Sequence, residues 1–154
     1  MENHKIITLL QQSFDGPAWH GPSVMEVLST VTASTAIQKV STSHTIIELV
    51  MHMAAWRNFV SKRLQGNNDF EVSEMANFPK GTDWPAALEA LQQGQEELMK
   101  AISLFPEGRL KDIVPTRTYD FYTMLHGIIQ HDIYHTGQIT LLKKIRGSLT
   151  RHFR

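Results

Sequence analysis

The sequence has no cysteine. That excludes a disulfide-stapled scaffold, a cysteine nucleophile and any thiolate metal site. It has no excess of charge either: Lys plus Arg and Asp plus Glu number 15 each, for a formal net charge of zero. A nucleic-acid clamp needs a basic face to displace counterions, and anchoring to an anionic lipid surface needs a polybasic patch. The zero balance argues against both. No run approaches the roughly 18–20 apolar residues of a membrane span, and the start, Met1-Glu2-Asn3-His4-Lys5, has no cationic segment leading into a long apolar one. The expectation is a cytoplasmic protein acting on a small molecule. Repeats and low-complexity tracts are absent as well. At 154 residues, 42% apolar and 19% charged, the chain has material for one well-buried core, and a single domain over residues 1–154 is expected. What it holds in quantity is histidine, eight in all, the side chain whose chemistry is poised near neutral pH.

Apolar residues recur with a helical period nearly throughout. A first helix carries Ile6, Ile7, Leu10 and Phe14 and stops at Asp15-Gly16-Pro17. Ser23 with Glu26 forms a capping box that starts a turn or two through Val27 and Leu28. Residues 29–43, rich in Ser, Thr and Ala, read as a connection with one further turn at most. A second long helix is expected from about Ser43 to Leu64, ended by Gly66-Asn67-Asn68-Asp69. Residues 67–82 read as a loop. A third helix begins near Thr82-Asp83, with Pro85 tolerated in its first turn and a stripe of Trp84, Leu88, Leu91, Gln95, Leu98, Ile102 and Phe105. The last runs from about Asp120, a plausible cap, to Arg146. No segment alternates convincingly with period two. The pattern predicts an all-α four-helix bundle, with a long crossover between the first and second long helices.

The last helix carries His131-Asp132-Ile133-Tyr134-His135. Residues four apart lie about 40° apart around a helix axis, one above the other, so two imidazoles can share one ion. Both lie on the stripe Met124, Ile128, His131, His135, Gln138, Leu142 and Ile145, which should face the core. Buried imidazoles need partners for their ring nitrogens. A shared metal meets that need; two separately hydrogen-bonded core histidines are the competing reading. A catalytic site takes a third protein ligand and keeps a position open. His52, beside Leu49, Trp56 and Phe59 on the second helix, is the best candidate, against the alternative of an edge-of-core histidine. His126 lies about 180° around the helix from His135 and should face elsewhere. His4 and His152 sit near the chain ends, His44 at a helix start, and His20 in a Trp-His-Gly-Pro loop that can cover one end of the bundle.

Two segments carry a family resemblance. His131-Asp-Ile-Tyr-His135-Thr-Gly-Gln138-Ile139 resembles the C-terminal signature of the DinB/YfiT-like metal-binding bundles, a group unrelated to the DNA polymerase of similar name. Thr45-Ile-Ile-Glu48-Leu-Val-Met-His52-Met-Ala-Ala-Trp56 resembles the family's other signature. The resemblance implies a four-helix bundle with a divalent metal, usually nickel or zinc, held by three histidines, which by position are His52, His131 and His135. Relatives include thiol S-transferases and isomerases that use low-molecular-weight thiols, and others described as metal-dependent hydrolases; homodimers are common among them. The resemblance thus implies a homodimeric, metal-dependent enzyme, with a thiol S-transferase-type reaction on a small electrophile preferred. A hydrolase using a metal-bound water and a non-catalytic metal- or ligand-binding bundle are the alternatives.

Supporting roles follow from position. Glu48, one turn before His52, is a candidate catalytic residue as acceptor for a ligand's second N–H or for a proton. It also matches a capping box with Thr45, and the two readings stand side by side. Gln138, one turn beyond His135, is the second candidate, orienting a ligand or bonding to a neighbouring helix. Trp56 and Tyr134 are candidate pocket walls. Asp132 points about 100° away from His131 and reads as structural.

Overall fold

A computed structural model describes residues 1–151, with side chains as far as Ile145. Four long helices dominate: α1 (Glu2–Phe14), α4 (Ile46–Leu64), α6 (Trp84–Leu104) and α7 (Phe121–Arg151). Short helices α2 (Val24–Leu28) and α3 (Ala33–Ala36) lie in the crossover between α1 and α4, and α5 (Glu74–Asn77) in the loop before α6. No strand occurs among the described residues, and one isolated antiparallel bridge joins Ile113 to Asp120. None of the described helices is long and apolar enough to cross a membrane. The all-α bundle and its long crossover are as the periodicity predicts.

The helix ends follow from local chemistry. Ser23–Glu26, Thr32–Thr35 and Thr45–Glu48 each form a reciprocal capping box. Asp83 accepts from the Ala86 N–H, and Asp120 from the Thr123 N–H. α4 closes on a Schellman turn: Gly66 adopts φ +85°, its N–H reaches the Arg63 carbonyl, and the Asn67 N–H reaches that of Lys62. α4 begins at Ile46 rather than near Ser43, because Thr45 takes the extended cap conformation. α5 forms inside the expected loop, where Ser73 caps its first turn. The end carbonyls of α6, at Ile102 and Phe105, are satisfied from afar by the Asn3 amide.

In the bundle α4 packs against α6 and α7, and α1 packs against the same two, so α1 and α4 occupy one diagonal and α6 and α7 the other. α2 lies against α7, where Lys143 donates to the Val27 carbonyl and the Thr30 hydroxyl. The interior divides into two apolar clusters. One, around Val50, Met53, Trp84, Leu91 and Ile139, takes in the crossover; the other, around Leu10, Phe59, Leu98, Ile102 and Leu125, fills the opposite end. Ile145, expected on the core stripe, is 38% exposed. The core face of α7 turns instead through Asp132, His135, Ile139 and Leu142.

A charged side chain stands where all four helices meet. Arg57 of α4 is fully buried. It donates through Nη2 to Asp132 Oδ2 of α7 (2.6 Å), through Nε to Gln95 Oε1 of α6 (3.1 Å) and through Nη1 to the Met53 carbonyl (3.3 Å). Its guanidinium lies 5.0 Å from the centre of the Phe14 ring of α1. Removing one member of such a pair strands the other charge in the interior. Arg57→Met is expected to cost about 3–5 kcal/mol in urea unfolding followed by circular dichroism. Arg57→Met combined with Asp132→Leu is expected to recover much of that loss. A double-variant cost equal to the sum of the costs of Arg57→Met and Asp132→Leu alone would show that the pair carries no coupling.

Candidate metal centre

Three histidines from two helices converge. His52 projects from the middle of α4, and His131 and His135 from consecutive turns of α7. His131 Nε2 lies 2.9 Å from His52 Nε2 and 3.1 Å from His135 Nε2. Together the three offer one donor atom each, all within 4.8 Å of one another. His52 and His135 are buried and His131 is half-buried. The structure therefore brings together the three residues that the resemblance singles out, on a face that the helical period also predicts for α7.

The outer ring nitrogens decide what the inner ones present. His52 Nδ1 lies 2.5 Å from the Asn77 carbonyl, and His135 Nδ1 lies 2.6 Å from Gln138 Oε1. A carbonyl oxygen accepts only, so both Nδ1 atoms carry the proton and both Nε2 atoms offer lone pairs in the neutral ring. His131 Nδ1 is buried without a hydrogen-bond partner among the described residues. A proton on His131 Nε2 cannot serve two facing lone pairs well, whereas a cation at their common focus serves all three. Nitrogens each ~2.0–2.1 Å from one ion lie about 2.8–3.4 Å from each other for bond angles of about 90–110°, and two of the three separations here are 2.9 and 3.1 Å. The donor set fits a divalent cation.

Electrostatics agree. Burial pushes the His131 imidazole down to about 3, with His135, His52 and Arg57 adding to the effect. Burial also lowers His52 and His135, against the raising influence of the Asn77 and Gln138 hydrogen bonds. The three rings are held in the neutral form that binds metal.

The loop between α4 and α6 supplies the parts that sequence patterning misses. The Asn77 carbonyl fixes His52, while its side-chain oxygen accepts from Trp56 Nε1 at 3.0 Å. The Phe78 ring stacks on His52 at 4.0 Å and on His44 at 3.8 Å, a three-ring pile with planes within 3°. A backbone carbonyl has no sequence signature, and Phe78 is one aromatic among several. Asp132, between the two ligands on α7, bonds Arg57 instead. Burial pushes its carboxyl up to about 6, against the pull of that guanidinium.

The other candidates are placed as follows. Glu48 accepts from the Thr45 N–H (3.0 Å) and from Lys80 (2.6 Å), and faces His44 Nδ1 at 3.3 Å. Burial opposes its charge, but Lys80, the Thr45 backbone and His44 outweigh it and hold the carboxyl below the usual range. It caps α4, and the second N–H of His52 goes to Asn77 rather than to it. Gln138 stands as the partner of His135. Trp56 lines a cavity with Phe59, Val60, Tyr119, Thr123, Met124, Gly127, Ile128 and His131. Tyr134 meets His135 edge-on at 5.0 Å and is largely exposed. His126 turns to the Tyr122 carbonyl, His20 lines a separate cavity beside Thr136 and Gly137, and His4 is exposed on α1. His152 lies outside the described residues.

The fold and this cluster define an all-helical bundle with a three-imidazole site able to hold a metal ion. Residues 20–139 match the DinB superfamily, and the chain belongs to that family. Neither the curated proteins nor the solved structures compared with it give a match.

Removing one ligand should be felt in metal binding before folding. His135→Ala is expected to lose most affinity for zinc and nickel by calorimetry while keeping its far-UV spectrum. Gln138→Ala, which frees the His135 ring to rotate, is expected to weaken binding by about 10–100-fold. Undiminished affinity in both would break the three-histidine assignment.

Proposed function

We propose that this chain is a divalent-metal-dependent enzyme of the thiol S-transferase type, with nickel or zinc held by His52, His131 and His135. The observation that carries the reading is the convergence of three neutral Nε2 atoms, two of them fixed as lone-pair donors by Asn77 and Gln138. A cation held by three neutral ligands keeps its full charge, and supplies the means to hold a thiol in its nucleophilic, deprotonated form.

The surrounding carboxylates favour a thiol over water as the nucleophile. A general base for hydrolysis would stand within about 2.6–3.2 Å of the attacking water, although a metal can by itself lower the pKa of a bound water toward about 7. Glu48 is committed to Thr45, Lys80 and His44, and Asp132 to Arg57. A thiol, far more acidic than water, ionises without such a base. In the transfer, an S–C bond forms, the leaving group departs with the electrons of the bond it breaks, and the thiol proton passes to solvent. The part of the protein is to orient the three rings, through Asn77 and Gln138, and to keep them neutral by burial.

The protein loaded with nickel or zinc is expected to conjugate small thiols to an electrophile such as 1-chloro-2,4-dinitrobenzene faster than the thiol reacts alone. Chelation and His135→Ala should each remove the excess rate. A loaded protein that gives no rate above background, across thiols and electrophiles, would overturn the transferase reading. Release of product from an ester panel instead would favour the hydrolase.

A further inference from the structure

Beside the three nitrogens lies a cavity of about 240 Å³ between α4 and α7, with His131 in its wall. Trp56, Phe59 and Val60 form the α4 side, and Met124, Gly127 and Ile128 the α7 side. Its polar residues besides His131 are Tyr119, Thr123 and Trp56, whose indole N–H is taken up by Asn77; among the described residues no Lys, Arg, Asp or Glu lines it. Two guanidinium groups lie over the Phe59 ring, Arg63 at 4.9 Å and Arg117 at 5.4 Å, but both bond Glu71. They share that one carboxylate, and neither is part of the cavity lining.

We propose that this cavity receives a neutral, apolar group the size of one substituted ring, the non-reacting part of a substrate whose reacting atom meets the three histidine nitrogens. Charge complementarity sets the chemistry. A charged group placed there would lose part of its water and find no counter-charge in the described lining, whereas an apolar ring meets aromatic and aliphatic side chains. Volume sets the size. A buried cavity of about 150 Å³ takes benzene, and drug-sized ligands need roughly 300–1,000 Å³, so the cavity suits a single ring with a short substituent. Gly127 sets the shape. It lies one turn before His131 on α7, and a Cβ there would meet nothing within 4 Å. Glycine in a helix interior is disfavoured relative to alanine, and here its missing side chain leaves room next to the site. The geometry of the occupant rests on the metal reading above, but occupancy of the cavity does not require a metal.

The test is a ¹H–¹⁵N titration of the full chain, metal-free and zinc-loaded, with benzyl alcohol as the neutral ring and glycerol as its polar counterpart. Benzyl alcohol is expected to shift the Trp56 indole and Gly127 amide signals saturably in both forms, and glycerol to leave them in place. Gly127→Leu is expected to weaken the benzyl alcohol response at least tenfold with unchanged zinc affinity. Gly127→Ala, the milder substitution, should weaken it at least twofold. Zinc binding without any benzyl alcohol response, or a response equal for glycerol or untouched in both variants, overturns the ring pocket. A benzyl alcohol response in a chain that binds no zinc supports the pocket and removes the metal reading instead.

Discussion

The contact between Arg57 and Asp132 fixes how α4 and α7 face each other, and the histidine cluster depends on that register. Asp132 stands between His131 and His135 in sequence, and Arg57 is five residues past His52. With the 2.6 Å bond in place, His52 and both α7 histidines point into the same space. A turn of α7 by one residue, about 100°, would take both rings away. The network is not built for stability alone: Asp132 Oδ1 and Gln95 Nε2 are buried without partners, and a well-packed apolar replacement of a buried ion pair is often as stable. Its directional bonds to three helices set one arrangement among the several that apolar faces alone would allow.

This constraint is also what the sequence hides. Arg57 interrupts an apolar helix, where an arginine ordinarily snorkels to solvent, and its carboxylate partner is 75 residues away. The capping boxes at Ser23 and Thr45 are legible because donor and acceptor are three residues apart. The pair His131 and His135 is legible for the same reason, since one helical turn sets the spacing. That His52 faces them depends on the packing of two helices: its place beside Leu49, Trp56 and Phe59 makes it a candidate, and the family resemblance selects it. Ile145 shows the limit of the period itself. The stripe carries on past the point where neighbouring helices cover it, so a residue in phase with the core is still 38% exposed. Glu48 carries two signals, and the local one accounts for its contacts: the cap bonds in the structure are those of the motif.

The site thus draws on three separate segments with different tasks. α4 and α7 bring rings, and the turn at α5 brings a carbonyl. Asn77 serves twice, fixing His52 by its backbone and Trp56 by its side chain, so one loop residue couples the orientation of that imidazole to the wall of the cavity. Phe78 presses on the face of the same imidazole. Helices alone leave a histidine free to turn about its side-chain bonds; the loop removes that freedom, and Gln138 removes it for His135. His131 has no such brace at Nδ1. It is held by the other two rings and by packing, and it is the histidine that reaches the cavity.

That division places polarity on one side of His131 and apolar surface on the other. The nitrogens lie where burial keeps every imidazole neutral, so a positive charge brought there meets donors but no compensating anion. In a site of low effective dielectric such a charge acts strongly on whatever group is held next to it. A carboxylate among the three ligands would cancel part of that effect, and a protein thiolate would cancel part and compete for the open position as well. The chain supplies neither: its nearby carboxylates are bound to Lys80 and Arg57, and it contains no cysteine. The absence of cysteine therefore leaves the three imidazoles as the nearby side chains able to meet a soft cation without cancelling its charge.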